Sequence, residues 1–176
     1  MSIKRLHTVV DTFDQTVEAT VPTIPEIQQH FKASSLPNEG LFWSSGGTHG
    51  DWVYLSDAYA KRPTVKRFTL DLFWKDTWYI QQTDNRTHTA AEIHEFWNRA
   101  SEAYADLNLG TAYVLLPQSS NPTEWLPTST WAKVEYPTLT KKGTRVQKIC
   151  RVNYDYAINE YAAPIRIWPT VDTKQC

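Results

Sequence analysis

Residues 89–117 constrain the fold most, because a strongly patterned helix there runs directly into an apolar strand. Thr89, followed three residues later by Glu92, forms a capping box that predicts the start of a helix. Apolar residues then recur at helical spacing: Ile93, Trp97, Ala100, Tyr104 and Leu107. Gly110 is predicted to end the helix. The near-continuous apolar run TAYVLLP, 111–117, predicts a strand that is covered on both faces.

The other predicted elements give the chain a helical first half and a sheet in its second half. Helices are predicted over 24–33, with Pro25 in the first turn, and over 52–61, with Asp51 as the N-cap. Further strands are predicted over 67–74, 129–139, 144–152 and 164–168. The chain is therefore of the α/β class, either as one compact domain or as a helical lobe beside a sheet lobe.

Length, charge and hydropathy exclude several classes of protein. With 176 residues and a formal net charge of −1, the chain lacks the general electrostatic signature of nucleic-acid or acidic-membrane binding. No apolar run approaches the roughly 20 residues that span a bilayer, and the N-terminal segment is not a signal peptide as it stands. We therefore expect no nucleic-acid partner and no membrane span, and the oligomeric state stays open.

The two cysteines and five histidines show no metal-ligand spacing, so no metal site is expected. Cys150 lies in an apolar alternation and is interpreted as a buried structural thiol. A disulfide between Cys150 and Cys176 would require an oxidising compartment. Asn85-Arg86-Thr87 is a glycosylation sequon, which leaves a secreted or extracellular location open.

Aromatic side chains are frequent, with eight tryptophans, nine tyrosines and six phenylalanines, and several tryptophans stand beside small, hydroxyl or charged residues. Rings in that setting line a ligand groove more often than a dry core. Four segments combine such rings with hydroxyl groups or acids: 41–47, 68–71, 96–101 and 130–135. Taken singly, each also has an ordinary structural interpretation, as a loop, a helix cap, a core contact or an exposed strand edge.

The segment STWAKVEYPTL, 129–139, alternates as a strand does, which places Trp131, Lys133 and Glu135 on one face. Pro137 is predicted to end this strand. If the other face packs on the core, Glu135 points outward beside a tryptophan. Two interpretations stay open, namely a solvated charge at a sheet edge and the acid around which an active site is built.

The four segments occur in the order found in the ADP-ribosyl cyclase family, which the chain resembles. LFWS, RFTLD, FWNRASEAYA and TWAKVEYPTL carry the resemblance, and GTAYVLL is similar to the strand that follows the helix there. The resemblance covers roughly residues 41–140 and extends to related NAD-cleaving microbial domains that share the Phe-Trp-Ser start. It implies one cyclase-like catalytic domain over 1–176, in which a mainly helical part (1–110) packs on a small, mainly parallel sheet (111–176). The active site is then expected in the cleft between the two parts.

The resemblance also implies roles for particular residues. Glu135 matches the catalytic glutamate that holds the ribose hydroxyls, Trp97 the tryptophan that positions NAD+, and Ser101 the serine near the reacting ribose carbon. The implied substrate-binding residues are Trp43, Ser44, Ser45, Asp71, Thr130 and Trp131. The family takes NAD+ as its substrate, so neither a cofactor nor a metal is implied, and NADP+ stays open as a second substrate.

The chain departs from the family in four respects. Asp71 stands where the family usually has a glutamate that contacts the nicotinamide amide, and it is one methylene shorter. Ser45 falls where many members have a phosphate-binding arginine, so phosphate contacts must come from elsewhere. The spacing from Trp43 to Asp71 is longer than usual, and with two cysteines most of the disulfide framework of the animal enzymes is missing.

These residue types suit cleavage of the nicotinamide–ribose bond of NAD+. Nicotinamide is a cationic leaving group, and its departure leaves an oxocarbenium-like ribosyl centre that a carboxylate stabilises and flat rings help to position. We therefore expect an NAD+ glycohydrolase or ADP-ribosyl cyclase, with hydrolysis as the major outcome. Two other classes stay open: a catalytically silent ligand- or carbohydrate-binding module, and a protein ADP-ribosyltransferase.

Overall fold

The computed structural model describes residues 21–44, 52–173 and 176. Its α-helices are α1 (Ile24–Gln28), α2 (Trp52–Ala60), α3 (Leu70–Phe73), α4 (Trp78–Gln82), α5 (Ala90–Asp106) and α6 (Tyr136–Thr140). A π-helix, Trp131–Glu135, directly precedes α6. The strands are β1 (Leu36–Pro37), β2 (Leu41–Trp43), β3 (Asn108–Pro117), β4 (Val146–Asp155), β5 (Glu160–Tyr161) and β6 (Ile165–Trp168).

The strands of the described ranges form one mixed sheet around β3 and β4. β1, β2 and β4 pair with β3 in parallel, whereas β5 and β6 pair with β4 in antiparallel orientation. The α/β class predicted from the sequence is therefore confirmed. The sheet is not restricted to the second half of the chain, because β1 and β2 come from the first half and extend it on one side.

β3 is covered on both faces, as its apolar sequence predicts. Val114 points to the larger core, which it shares with Phe96 and Tyr104 of α5. Leu115 points to the opposite face, where Trp52 of α2 belongs to a second, smaller core. Helices on both faces of parallel strands leave the carboxyl ends of those strands as the place where ligands usually bind.

The helix predicted from the capping box is confirmed as α5. The Thr89 hydroxyl accepts a hydrogen bond from the Glu92 N–H (3.2 Å), and the Glu92 carboxylate accepts one from the Thr89 N–H (2.6 Å). Gly110 does not end this helix, which stops at Asp106. Gly110 instead adopts a φ of 68° inside β3, where the register with β4 shifts. A residue with a side chain rarely adopts such a φ, so a glycine is required here.

The helices predicted over 24–33 and 52–61 are both present, although α1 is shorter than predicted and ends at Gln28. Asp51, the predicted N-cap of α2, lies outside the described residues. In the ranges that the structure describes, no helix is long and apolar enough to cross a bilayer.

The strand predicted over 67–74 is wrong, because α3 occupies most of that segment. Thr69 caps α3, and its Oγ1 accepts a hydrogen bond from the Leu72 N–H (3.3 Å) while donating one to Asp57 (2.9 Å). A threonine that bonds to its own neighbouring backbone offers that backbone an alternative to a strand ladder. The Thr69 cap therefore determines that this segment is helical, although its apolar and polar residues alternate weakly.

The strand predicted over 129–139 is also wrong, since this segment forms the π-helix and α6. The Ser129 hydroxyl accepts a hydrogen bond from the Ala132 N–H (3.2 Å) where the turn begins. Trp131 and Glu135, four residues apart, are both buried, whereas Lys133 between them is exposed. The ring and the acid therefore share the inner face of a helix rather than the outer face of a strand.

A disulfide joins Cys150 in β4 to Cys176, and their Cα atoms are 5.9 Å apart. Cys150 is fully buried, but as one half of this bond rather than as a free thiol. The Lys148 ammonium donates a hydrogen bond to the Cys176 carbonyl (2.6 Å), so the last residue is held against the sheet at two points.

Removal of this disulfide is expected to lower the free energy of unfolding by about 3 kcal/mol, because the bond restricts a long loop of the unfolded chain. Cys176→Ser tests the expectation by urea denaturation, since Cys176 is partly exposed and its replacement disturbs packing less than a change at the buried Cys150. Reduction of the wild type by dithiothreitol is the matched control and should shift the midpoint equally. Unchanged midpoints in both cases would show that the bond contributes nothing to stability.

Candidate active site

A cavity of about 510 Å³ lies at the carboxyl end of β2, where α3, α5 and the segment before the π-helix meet. Its walls contain most of the residues that the motifs pointed to: Trp43, Ser44, Asp71, Trp97, Ser101, Thr130 and Glu135. Its described lining includes two carboxylates and neither lysine nor arginine, so its electrostatics suit a cationic ligand. The described ranges contain no group of three or more His, Cys, Asp or Glu side chains placed to hold a metal ion.

Glu135 is buried in the wall of this cavity at the end of the π-helix. The residue is 8% exposed, and its Oε2 atom has no hydrogen-bond partner among the described residues. Burial raises the pKa of Glu135 to about 8, and a hydrogen bond from Ser101 partly opposes that rise. A buried acid that keeps one oxygen unused costs stability, and such groups concentrate at functional sites.

Trp97 and Ser101 lie one helical turn apart on the face of α5 that meets the cavity. Ser101 is buried, and its side chain lowers the pKa of Glu135, against the larger effect of burial. Trp97 is half-buried, with its ring centroid 5.4 Å from that of Phe96 and 6.2 Å from that of Tyr79. These ring contacts fix Trp97 and leave part of its surface to the cavity.

Asp71 reaches the cavity from the first turn of α3. Its side chain is exposed, yet the surrounding walls remove enough water to raise its pKa, and the nearby Asp57 raises it further. The Thr69 hydroxyl that caps α3 also donates to Asp57, so the same contact holds the second acid near Asp71. The carboxyl oxygens of Asp71 can accept a hydrogen bond from an N–H group of a ligand in the cavity.

β2 ends at Trp43 and brings Ser44 to the cavity. The Ser44 N–H donates a hydrogen bond to the Leu115 carbonyl (3.2 Å), which fixes the backbone where the strand ends. Ser44 is only 4% exposed, and within the described ranges its hydroxyl has no hydrogen-bond partner. Ser45, the next residue that the resemblance implied, lies outside the described residues.

Thr130 lines the cavity, whereas Trp131 does not. The Trp131 ring is fully buried in the larger core, with ring centroids 5.6 Å from Tyr136, 5.8 Å from Phe42 and 6.1 Å from Trp125. The expectation that this ring faces a ligand depended on strand alternation, and the helical backbone turns it inward. Trp131 therefore supports the wall that carries Glu135, and it is not a surface for substrate.

Tyr104 is a wall residue that the motifs did not single out. Its hydroxyl donates a hydrogen bond to the Phe68 carbonyl and accepts one from the Leu41 N–H (3.3 Å). One phenol thereby joins α5 and β2, which both line the cavity, to the segment that leads into α3. In the sequence, the position of Tyr104 seven residues after Trp97 indicates that both side chains lie on the same face of the helix.

A family model described as ADP-ribosyl cyclase matches residues 72–158. The matched segment contains Trp97, Ser101, Thr130 and Glu135, whereas Trp43 and Asp71 precede it. The resemblance to the ADP-ribosyl cyclase family that the motifs indicated is thereby confirmed. A search of curated proteins found no match.

Solved structures give the second comparison. Aplysia cyclase, complexed with substrate NGD and product cGDPR, is 20% identical, and the match covers 74% of this chain and 55% of that chain with a TM-score of 0.51. An ADP-ribosyl cyclase complexed with N1-cIDPR is 20% identical over 71% of this chain and 53% of that chain, with a TM-score of 0.46. Porcine CD38 with a covalent intermediate, ribo-F-ribose-5'-phosphate, is 22% identical over 61% and 50%, with a TM-score of 0.41. This chain therefore shares the fold of Aplysia cyclase and spans about half the length of the structures it matches.

Tyr104→Phe removes only the hydroxyl that joins the three elements, and we expect it to lower the free energy of unfolding by about 1 kcal/mol. Tyr113→Phe is the matched control, because the Tyr113 hydroxyl makes no hydrogen bond within the described ranges and its ring also packs against a core, the smaller one. Urea denaturation of both variants measures the difference. Equal free energies of unfolding for the two variants would mean that the hydrogen bonds of the Tyr104 hydroxyl do not contribute to stability.

Glu135→Gln is expected to raise stability at alkaline pH. Between the ordinary pKa of 4.5 and the folded value of about 8, the folded protein holds one proton more than the unfolded chain. Stability of the wild type therefore falls as pH rises through this window, and the buried negative charge costs a few kcal/mol above it. The neutral glutamine removes this dependence, so the advantage of the variant over the wild type should grow from pH 5 to pH 9.

Thermal or urea unfolding at pH 5, 7 and 9 measures this difference. Glu160→Gln is the control, because that side chain is exposed. A constant difference between Glu135→Gln and the wild type across the three pH values would contradict the burial of an ionisable Glu135.

Proposed function

We propose that this chain cleaves the nicotinamide–ribose bond of NAD+, giving nicotinamide together with ADP-ribose, cyclic ADP-ribose or both. The observation that carries the proposal is the position of Glu135, a buried carboxyl group with an unused oxygen in the wall of a cavity that Trp97 and Ser101 also line. The match to the ADP-ribosyl cyclase family and the complex of Aplysia cyclase with its substrate NGD support it.

The chemistry requires stabilisation of positive charge. The bond between the ribose carbon and the ring nitrogen breaks, its electron pair goes to nicotinamide, and the ribosyl carbon becomes cationic. An ionised Glu135 stabilises that charge, and it does so more strongly in a buried site than in water. In this proposal the rings of Trp97 and Trp43 stack on the cationic nicotinamide, and Asp71, which lines the same cavity, bonds to its amide.

The raised pKa of Glu135 has two consequences for this reaction. A cationic ligand favours the ionised form, so the substrate itself draws the proton away as it binds. When water adds to the ribosyl carbon, a proton must leave that water, and a carboxylate with a pKa near 8 accepts it efficiently at neutral pH. The same group thus serves the departure of nicotinamide and the attack of water.

We propose hydrolysis as the major outcome. Val53 and Leu126 line the cavity and are 45% and 40% exposed, so part of its rim is open to solvent. Cyclisation requires that water be kept away from the ribosyl cation until the adenine of the same molecule reaches it. An open rim works against that requirement.

Incubation of the purified protein with NAD+, followed by chromatographic separation of nicotinamide, ADP-ribose and cyclic ADP-ribose, tests the proposal. We expect nicotinamide release by the wild type and by Glu160→Gln, and a loss of at least about 100-fold in kcat for Glu135→Gln, because the stabilising charge is gone.

The other outcomes separate the alternatives. Label from NAD+ that ends on a macromolecule would identify a protein ADP-ribosyltransferase. Folded wild type that binds NAD+ without releasing nicotinamide, with Glu135→Gln binding equally well, would identify a catalytically silent binding module.

A further inference from the structure

A second cavity, of about 430 Å³, lies at the carboxyl end of β3 and adjoins the first. Ser44 and Leu126 line both cavities, so the two spaces meet at these side chains. The second cavity combines an aromatic wall, Trp125, with polar groups from the segment after β3, Gln118 and Ser119. This mixture of ring and hydrogen-bonding groups suits a planar heterocycle rather than an aliphatic ligand.

Arg151, in β4, gives this cavity its positive charge. The residue is 1% exposed, and its guanidinium donates hydrogen bonds to the Asn153 side chain and to the carbonyls of Pro117, Asn121, Pro122 and Glu124. Nη2 carries two N–H groups, and in the described part of the chain it donates only to Pro117. One N–H of a buried cation is therefore uncommitted.

The two cavities differ in their described charged residues, because the first has carboxylates alone whereas the second has a carboxylate together with a buried cation. Among the described residues that line them, Arg151 is the sole cation, and it belongs to the second cavity alone. The first cavity contains Glu135 and Asp71, which favour the cationic nicotinamide end and disfavour phosphate. Glu124 also lines the second cavity, where its carboxylate accepts a hydrogen bond from the Ser119 hydroxyl. An amino group on a heterocycle is a suitable further donor to that carboxylate.

Ser44 is placed where the two spaces meet. Its hydroxyl is buried and has no hydrogen-bond partner in the described ranges, which is an unusual state for a native hydroxyl group. A phosphate oxygen at this point would accept that hydrogen bond. The second cavity therefore contributes the uncommitted N–H and the positive charge on one side of Ser44, and the first cavity contributes the reacting centre on the other.

We propose that the second cavity binds the adenylate half of the substrate, with the pyrophosphate at Ser44 on the side of Arg151 and the adenine ring against Trp125. This inference rests on the proposed NAD+ cleavage. It assigns the dinucleotide an extended conformation in which the adenine is held away from Glu135. Water then reaches the ribosyl cation and the adenine does not, which gives hydrolysis a structural reason.

Truncated substrates test the inference, because NAD+, nicotinamide mononucleotide and nicotinamide riboside contain the same scissile bond. Gln118→Ala and Trp125→Ala are expected to raise KM for NAD+ by about tenfold, a typical effect for one base contact. Gln118→Ala should leave kcat/KM for nicotinamide riboside within about twofold of the wild type. Gln81→Ala, an exposed glutamine in α4, is the matched control.

Trp125 also packs on Trp131 and Tyr136, so the melting temperature of Trp125→Ala is measured alongside. Gln118 is exposed, and its variant keeps the test valid if Trp125→Ala unfolds. Equal loss for all three substrates, or no loss for NAD+ in folded Gln118→Ala, would overturn the inference.

Titration calorimetry with ADP separates this inference from the proposed function. We expect ADP to bind the wild type and to bind Gln118→Ala about tenfold more weakly. If none of the three substrates yields nicotinamide but ADP binds Gln118→Ala more weakly than the wild type, the proposed NAD+ cleavage is wrong and the proposed nucleotide site is supported. If nicotinamide is released and ADP binds both proteins equally, the second cavity is not the adenylate site.

Discussion

The buried guanidinium of Arg151 holds together the part of the molecule on which the candidate site depends. Its bonds to four backbone carbonyls lie within residues 117–124, a stretch without helix or strand after Pro117. Carbonyls in such a segment need donors, and a buried charge needs partners, so each satisfies the other. The segment fixed in this way leads to Leu126 and Thr130 of the cavity wall and then into the π-helix that carries Glu135.

The burial of Glu135, in contrast to the contacts of Arg151, destabilises the folded protein. A carboxyl group whose pKa is raised to about 8 by burial opposes folding at neutral and alkaline pH, and the packing around it must offset that cost. Trp131 precedes it on the same inner face and contacts several rings of the larger core. The many aromatic residues thus have a structural role besides any contact with a ligand, because their rigid rings fix the position of a buried acid that destabilises the fold.

The parts of the fold that could be predicted are those in which local pattern and tertiary packing agree. The capping box at Thr89 and Glu92 and the apolar run of β3 each allow one interpretation, and both are present. The segment 129–139 allowed two interpretations, a strand and a helix. Trp131 and Glu135 are four residues apart, and positions i and i+4 share a face in a strand as well as in a helix. Only Lys133 distinguishes the two, and its exposure favours the helix.

The candidate site could be anticipated as a set of residue types but not as a shape. Short motifs pointed to Trp43, Trp97, Ser101 and Glu135, which the fold brings to one cavity. They did not point to Tyr104 or Arg151, because a phenol in an apolar helix face and an arginine in an apolar strand carry no local signal of their contacts. Those contacts join residues far apart in the chain, Phe68 with Tyr104 and Pro117 with Arg151, and only the assembled fold creates them.

The π-helix makes the length of its segment as important as its composition. A π-turn contains one residue more than an α-turn, and such insertions occur often at functional sites. Loss of one residue between Trp131 and Glu135 would shorten this turn to the 3.6 residues of an α-helix and would place the ring and the acid three residues apart instead of four. The distance and direction from Trp131 to Glu135 would then change although every motif residue type was still present, so in this chain the candidate site depends on the length of a segment as well as on its composition.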